Sequence, residues 1–238
     1  MEGIKRKTQM KNKFLKSLVA SFAMTVSGIV NAGIIVLDFE GVGDNASVND
    51  FYNGGTDSLG NSGIDYGVEF SSNSLGLIDS DAGGNGNFAN EPSESTVLFF
   101  TNGSAIMNYL SGFDTGFSFF YSSAFDATIN IYDDLNATGN LLGQLTLTAN
   151  SSDNNCTGDP NGTYCNWTNI GMSFSGLAKS VDFGGTVNRV AYDNITFGSS
   201  EAQLESTPVP EPSTLAVFTL GLMGLAAFFK LVVTFKAF

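Results

Sequence analysis

Histidine is absent from the 238-residue chain, cysteine occurs twice and tryptophan once. Without histidine there is no Ser-His-Asp triad, no His-ligated metal centre and no axial haem histidine. Two thiols are too few for a cysteine-only zinc site. Charged residues make up 14%, well below the roughly 25% of an average soluble protein. Bases are scarcest in the middle. Six of the ten lie before residue 17, Lys230 and Lys236 lie at the far end, and residues 33–207 keep only Lys179 and Arg189. That span holds 21 of the 23 acids, a net charge of −19. Such a body repels polyanions and attracts cations, and it lacks the basic footprint of a nucleic-acid binder. No Gly-Lys-Ser/Thr follows any glycine-rich stretch, so a phosphate-binding P-loop is excluded too.

What is present begins with two informative ends. Lys5, Arg6, Lys7, Lys11, Lys13 and Lys16 precede an apolar run from Phe14 to Val30, which closes on Val30-Asn31-Ala32 before Gly33. A basic segment, a short apolar run and a small-x-small step form a secretory signal peptide, with cleavage between Ala32 and Gly33 by way of the general secretion machinery. An uncleaved anchor is the alternative. At the other end, a polar stretch leads to Pro208-Val209-Pro210-Glu211-Pro212-Ser213 and an uncharged run, Thr214 to Phe229. Continuing past Lys230 to Phe235 gives about 33 Å of helix, enough for a hydrocarbon core of about 30 Å. One C-terminal transmembrane helix is expected, with its lysine-bearing tail cytoplasmic and the body outside. Lys230 would reach toward the interface.

Residues 33–198 read as β throughout. Gly67-Val-Glu-Phe-Ser71, Thr128-Ile-Asn-Ile-Tyr132 and Gln144-Leu-Thr-Leu-Thr148 alternate apolar with polar, and Phe117, Phe119 and Tyr121 fall on one face. Asn53-Gly-Gly, Asn102-Gly103, Gly139-Asn140 and Gly184-Gly185 supply turn chemistry between such runs. No segment keeps a 3.6-residue period. Nine to eleven short strands predict an all-β, two-sheet antiparallel sandwich, jelly-roll-like, with a closed barrel as the alternative. The organisation is therefore signal peptide 1–32, sandwich 33–198, linker 199–208 and C-terminal signal with helix 209–238.

Several groups in the body bear chemistry. Cys156 and Cys165 form an even pair in an exported chain, which reads as a disulfide closing a ten-residue loop. Asp79-Ser-Asp81-Ala-Gly-Gly-Asn85-Gly-Asn87 offers oxygens on alternate residues, as a Ca²⁺ loop does, but the twelfth position is Asn90 where an EF-hand needs an acid. Tyr164 and Trp167 flank the stapled loop and are candidate platforms for a sugar ring, as are Phe51, Tyr52, Tyr66 and Tyr109. One tryptophan and scattered carboxylates give no specific glycosidase pattern, and no serine has a histidine to activate it. A non-enzymatic chain is expected.

Two resemblances add to this reading. Val209-Pro210-Glu211-Pro212, a short apolar run and a basic residue close to the C-terminus resemble the PEP-CTERM sorting signal. That resemblance implies an exported Gram-negative envelope protein, anchored transiently in the inner membrane, processed by an exosortase and associated with biofilm and exopolysaccharide. The family usually ends in an arginine cluster, where this chain has Lys230 and a second apolar stretch. A plain C-terminal anchor is the alternative. Asp38-Phe-Glu40-Gly and Tyr192-Asp193-Asn-Ile resemble the recurring body of the same proteins. They also resemble carbohydrate-binding jelly rolls that hold one structural Ca²⁺ between first and last strands. The resemblance implies that Glu40 and Asp193, with Asp38 beside them, could share a cation. A carbohydrate-binding module is the alternative function.

Overall fold

The computed structural model describes residues 34–153, 156 and 162–204. The signal-peptide junction Ala32/Gly33, the motif Val209–Pro212 and the C-terminal helix lie outside the described residues. Among the described residues no helix is long and apolar enough to cross a membrane.

The body is a sandwich of two antiparallel sheets. The first contains β1 (Ile35–Leu37), β3 (Leu75–Ile78), β4 (Thr96–Phe99), β6 (Phe117–Ser123), β9 (Thr168–Met172) and β11 (Val190–Phe197), in the order β3-β4-β11-β6-β9 with β1 also on β11. The second runs β2-β5-β10-β7-β8, built from β2 (Val68–Phe70), β5 (Ala105–Phe113), β7 (Ala127–Tyr132), β8 (Leu141–Leu147) and β10 (Ala178–Phe183). The period-2 pattern seen in the sequence sets the inner faces. Phe117, Phe119 and Tyr121 point inward from β6, Ile129 and Ile131 from β7, and all five are buried in one core. Phe183 of β10 lies at the centre of the interface. Its ring is 6.0 Å from that of Phe117, 5.7 Å from Phe119 and 5.0 Å from Tyr192, all in the opposite sheet. Edge-to-face and tilted pairs of this kind add about 0.5–1.5 kcal/mol each beyond the area they bury.

One edge of β11 changes partner part-way along. Ile35↔Phe197 and Leu37↔Ile195 pair it with β1, whereas Tyr192↔Leu98 pairs it with β4. Asp193 and Asn194 fall between those partners. On the other edge, the register with β6 shifts between Asp193 and Thr196, and Asn194 adopts a left-handed φ of 47°. The bulge rotates these side chains out of the regular pleat. Phe39, just after β1, also has a left-handed φ of 63°. For a bulky residue that costs about 1–3 kcal/mol. Its fully buried ring packs against Tyr52 and Phe70, and its N–H donates to the Tyr52 hydroxyl at 2.7 Å. The chain thus turns off β11 at a fixed point and carries Glu40 toward β4.

After β11 the chain doubles back over the outer face of the first sheet. The Ser118 hydroxyl donates to Ser199 O at 2.9 Å, and Thr196 Oγ1 accepts from Gln203 N at 3.0 Å. Asn169 grips Ala202 twice, accepting its N–H at 3.1 Å and donating to its carbonyl at 3.3 Å. Gly171 makes room for this strap, because a Cβ there would stand 2.3 Å from Ser200 O.

Cys156 and Cys165 are joined, with Cα atoms 5.1 Å apart. The unreduced protein is expected to titrate no free thiol. Cys156→Ser is expected to lower stability by roughly 2–3 kcal/mol, read as a lower denaturant midpoint.

Candidate functional site

The gap between β1 and β4 along the β11 edge is filled by oxygen atoms. Glu40 reaches across it and accepts from Ser95 N at 2.8 Å and Thr96 N at 2.7 Å, anchoring the start of β4. Asp193 is fully buried and accepts from Ser93 N at 2.9 Å and Asn194 N at 2.7 Å. Between the two carboxylates sits the Ser93 hydroxyl. It lies 2.8 and 3.0 Å from the Asp193 oxygens, 3.2 Å from the Asp38 carbonyl, 3.3 Å from Glu40 Oε1 and 3.4 Å from the Thr96 carbonyl. A hydroxyl has one proton and can satisfy one of those five acceptors at a time.

The electrostatics match that geometry. Burial is the main cause that pushes the Asp193 carboxyl up to about 8; donors from Ser93 and Asn194 act against it, and the nearby Glu40 charge adds to it. Asp38 is also raised, first by burial, with the Glu40 N–H bond opposing it and the Glu40 charge adding to it. Asn194, next to Asp193, is fully buried, and neither side-chain amide atom has a partner among the described residues. Glu40 and Asp193 are thus brought together as their positions in the first and last strands suggest. Asp38 contributes its backbone carbonyl to the group, while its side chain accepts from Glu40 N at 3.2 Å and the Tyr52 hydroxyl at 3.4 Å. Ser93 carries no sequence signal for this place; it lies in an ordinary polar loop, Glu91-Pro-Ser93-Glu-Ser95.

Hard oxygen donors of mixed carboxylate and carbonyl type are what Ca²⁺ prefers. The chemistry of the donor set therefore fits that ion. Among the described residues, no group of three or more His, Cys, Asp or Glu side chains forms a metal array. Backbone oxygens would have to complete any shell.

The second Ca²⁺ candidate forms a tight turn. Gly84 N donates to Asp79 O and Gly86 N to Ile78 O, both at 2.8 Å. Asp44, which sequence spacing does not flag, secures the turn by accepting from Ile78 N at 3.0 Å and from the Asn85 side chain. Asp79 is buried and accepts from Ser80 N at 2.7 Å. Its carboxyl is pushed up to about 7, chiefly by burial, with Asp81 and Glu91 adding to the shift.

Tyr164 and Trp167 belong to a satellite core. Tyr164 is 8% exposed and packs with Phe88, Val97 and Ala191. Trp167 meets Phe88 edge-on at 6.2 Å and donates its Nε1–H to the Ala89 carbonyl at 3.1 Å. A small hollow of about 30 Å³ lies beside Tyr164 and Phe88, and a larger cleft of about 360 Å³ lies next to the oxygen cage. Asp38, Glu40, Phe51, Tyr52, Tyr66 and Ile64 are among its lining residues, and Leu204 stands at its rim.

For the C-terminal end, the sequence itself provides the decisive comparison. A family model described as the PEP-CTERM protein-sorting motif matches residues 208–230. The chain carries a PEP-CTERM sorting motif. That stretch includes Val209, Pro210, Glu211 and Pro212 and ends at Lys230. A PEP-CTERM motif implies an exported protein held at a membrane only transiently. A search of the curated proteins found no match.

Among solved structures the likenesses are partial. A Clostridium stercorarium family 6 carbohydrate-binding module, solved with cellobiose, shares 13% identity over 55% of this chain and 85% of its own, with a TM-score of 0.34. A family 29 carbohydrate-binding module shares 12% identity over 75% of this chain and 100% of its own, at 0.38. The K3 adhesin domain of Lys-gingipain from Porphyromonas gingivalis shares 13% over 71% and 99%, at 0.36.

Proposed function

We propose that this chain is an exported, non-enzymatic cell-envelope or extracellular-matrix protein of a Gram-negative bacterium. Residues 1–32 direct the β-sandwich through the general secretion machinery. The C-terminal segment then holds it briefly at the inner membrane, and an exosortase severs it at Pro210-Glu211-Pro212. Release places the body at the outer surface or beyond, among exopolysaccharide. The PEP-CTERM match at residues 208–230 carries this reading. Mass-mapping the C-terminus of the protein from native cells tests it. The expected mature form lacks Phe238 and ends near the Pro-Glu-Pro motif. Deleting the host's exosortase, or replacing Pro210 and Pro212 with alanine, is expected to leave the full C-terminus in place. A wild-type protein that keeps Phe238 would make it a plain anchored protein instead.

Two properties of the body extend the reading. The first is a structural Ca²⁺ held by Glu40 and Asp193 with the Asp38 and Thr96 carbonyls. It is supported by five acceptor oxygens gathered around one hydroxyl. The second is polysaccharide binding by the sandwich, favoured by the aromatic-lined cleft beside that cage.

A further inference from the structure

We propose that the cleft next to the oxygen cage binds neutral sugar rings, with Tyr66 as the stacking platform and the Asp38 carboxylate as hydroxyl acceptor. This deepens the polysaccharide-binding reading and rests on it. The stapled loop offers less: Tyr164 is buried, and Trp167 is half-buried and meets Phe88 edge-on within the satellite core.

The cleft has the two-sided character that a sugar requires. One wall is aromatic. Tyr66 is half-buried and stacked on the buried Tyr52, with ring centroids 6.2 Å apart and planes 27° apart. Tyr52 is in turn locked by Phe51, edge-on at 4.9 Å, and by its hydroxyl bonds to Phe39 N and Asp38. The platform is therefore set before any ligand arrives, which limits the entropy lost on binding. The other wall is polar. Both Glu40 oxygens already accept protein donors. Asp38 accepts from Glu40 N and the Tyr52 hydroxyl through Oδ1 alone, and no bond to Oδ2 from another described residue competes with a ligand. The exposed Ser62 adds a hydroxyl at the rim, and Ile64, 64% exposed, adds apolar surface. Sugar rings offer C–H faces for the aromatic wall and hydroxyl protons for the carboxylate.

Charge narrows the class. Among the described residues no lysine or arginine lines the cleft, and the body is strongly acidic. Phosphates, sulfates and uronic acids would meet unfavourable potential with no cation to pair. At about 360 Å³ the cleft falls at the small end of ligand cavities, roughly 300–1,000 Å³. That size suits a short stretch or the end of a chain.

The test uses the full chain in a sugar-free zwitterionic detergent. A glycan array carrying neutral gluco-, xylo-, manno- and galacto-oligosaccharides alongside oligouronates identifies binders, and calorimetry with the best tetrasaccharide measures affinity. Neutral glycans are expected to bind and oligouronates to fail. Tyr66→Ala is expected to weaken binding roughly tenfold or more, while Tyr66→Phe retains it. Melting curves confirm folding of each variant. Should Tyr66→Ala not fold, Ser62→Leu at the exposed rim narrows the cleft without touching the core and is expected to weaken binding as well. Neutral binding that survives these changes would place the sugar elsewhere and overturn the cleft assignment while leaving polysaccharide binding intact. A preference for oligouronates would overturn the neutral-sugar cleft alone, and no binding to any glycan would overturn both.

Discussion

In excess chelator, the melting temperature of the full-length protein is expected to fall as pH rises from 4 to 9, and at pH 8 millimolar Ca²⁺ is expected to restore part of the loss. The cause is Asp193. Its folded carboxyl titrates near 8 against an ordinary 3.8, so the folded state binds that proton more tightly than the unfolded one. Below about pH 4 both states hold the proton and no stability is lost. Between the two values the unfolded chain releases its proton first, so stability declines until about pH 8 and then levels off. A raise of about four units corresponds to a loss on the order of 5 kcal/mol, or roughly 10–20 °C for a domain of this size. Asp79, raised to about 7, works in the same direction.

Asp57 has the opposite sign. Burial raises it, but donors from Gly43, Asn61 and Leu59 outweigh that and lower it. Its contribution is present above the ordinary value and is lost as pH falls below it. A cation between Glu40 and Asp193 would remove the penalty on Asp193. At about one hundred times its dissociation constant, Ca²⁺ would contribute about 2.7 kcal/mol, a shift of roughly 5–10 °C. Glu40→Gln should remove most of that shift. Asp193→Asn should remove both the shift and much of the alkaline decline, and should melt higher than wild type in chelator at pH 8. Scanning calorimetry across the pH series reads all of these. A wild-type protein unmoved by Ca²⁺ at pH 8 would sink the cation assignment.

Phe183→Ala is expected to cost about 3–5 kcal/mol, the largest loss for a single apolar truncation here. The ring is fully buried and touches Phe117, Phe119 and Tyr192 across the sandwich. Those neighbours are held by strands on both sides, so the space left behind cannot close. The denaturant midpoint should drop with little change in slope. Leu204→Ala, at a position 64% exposed, should stay within about 0.5 kcal/mol and serves as the comparison. A loss under 1 kcal/mol at Phe183 would mean that the two sheets do not meet as described.

The sequence made the fold class legible because much of its core is alternating strand. β6, β7 and the end of β8 follow the period-2 rule, and β11 is framed by Gly184-Gly185 and Gly198. Three strands are less visible. β5 is interrupted by Gly112, whose left-handed φ of 74° marks an irregularity in the pleat. β9 reads Thr-Asn-Ile-Gly-Met, with small residues where the strap crosses. β3 is four residues with a glycine whose Cβ would stand 2.5 Å from Val42. Each is specified by what packs over it, which no local pattern records.

The site follows the same division. Glu40 and Asp193 could be paired in advance only through the resemblance to jelly rolls that hold a cation between their first and last strands. Ser93 and Asp44 could not, since each acts across a separation of 34 residues or more. Among the aromatic candidates, the sequence could not tell that Tyr66 lines the larger cleft while Trp167 packs on Phe88, 79 residues away in the chain.

The strap formed by residues 199–204 has a mechanical consequence. Any pull on the polypeptide beyond Leu204 first loads the bonds from Ser118, Asn169 and Thr196, and only afterwards β11. Because the strap lies across β6 and β9, the load spreads over neighbouring strands before it can peel the one that holds Asp193. Tension on the tether would therefore detach a short replaceable length of chain first, Leu204 of the cleft with it, and leave the cage in shape.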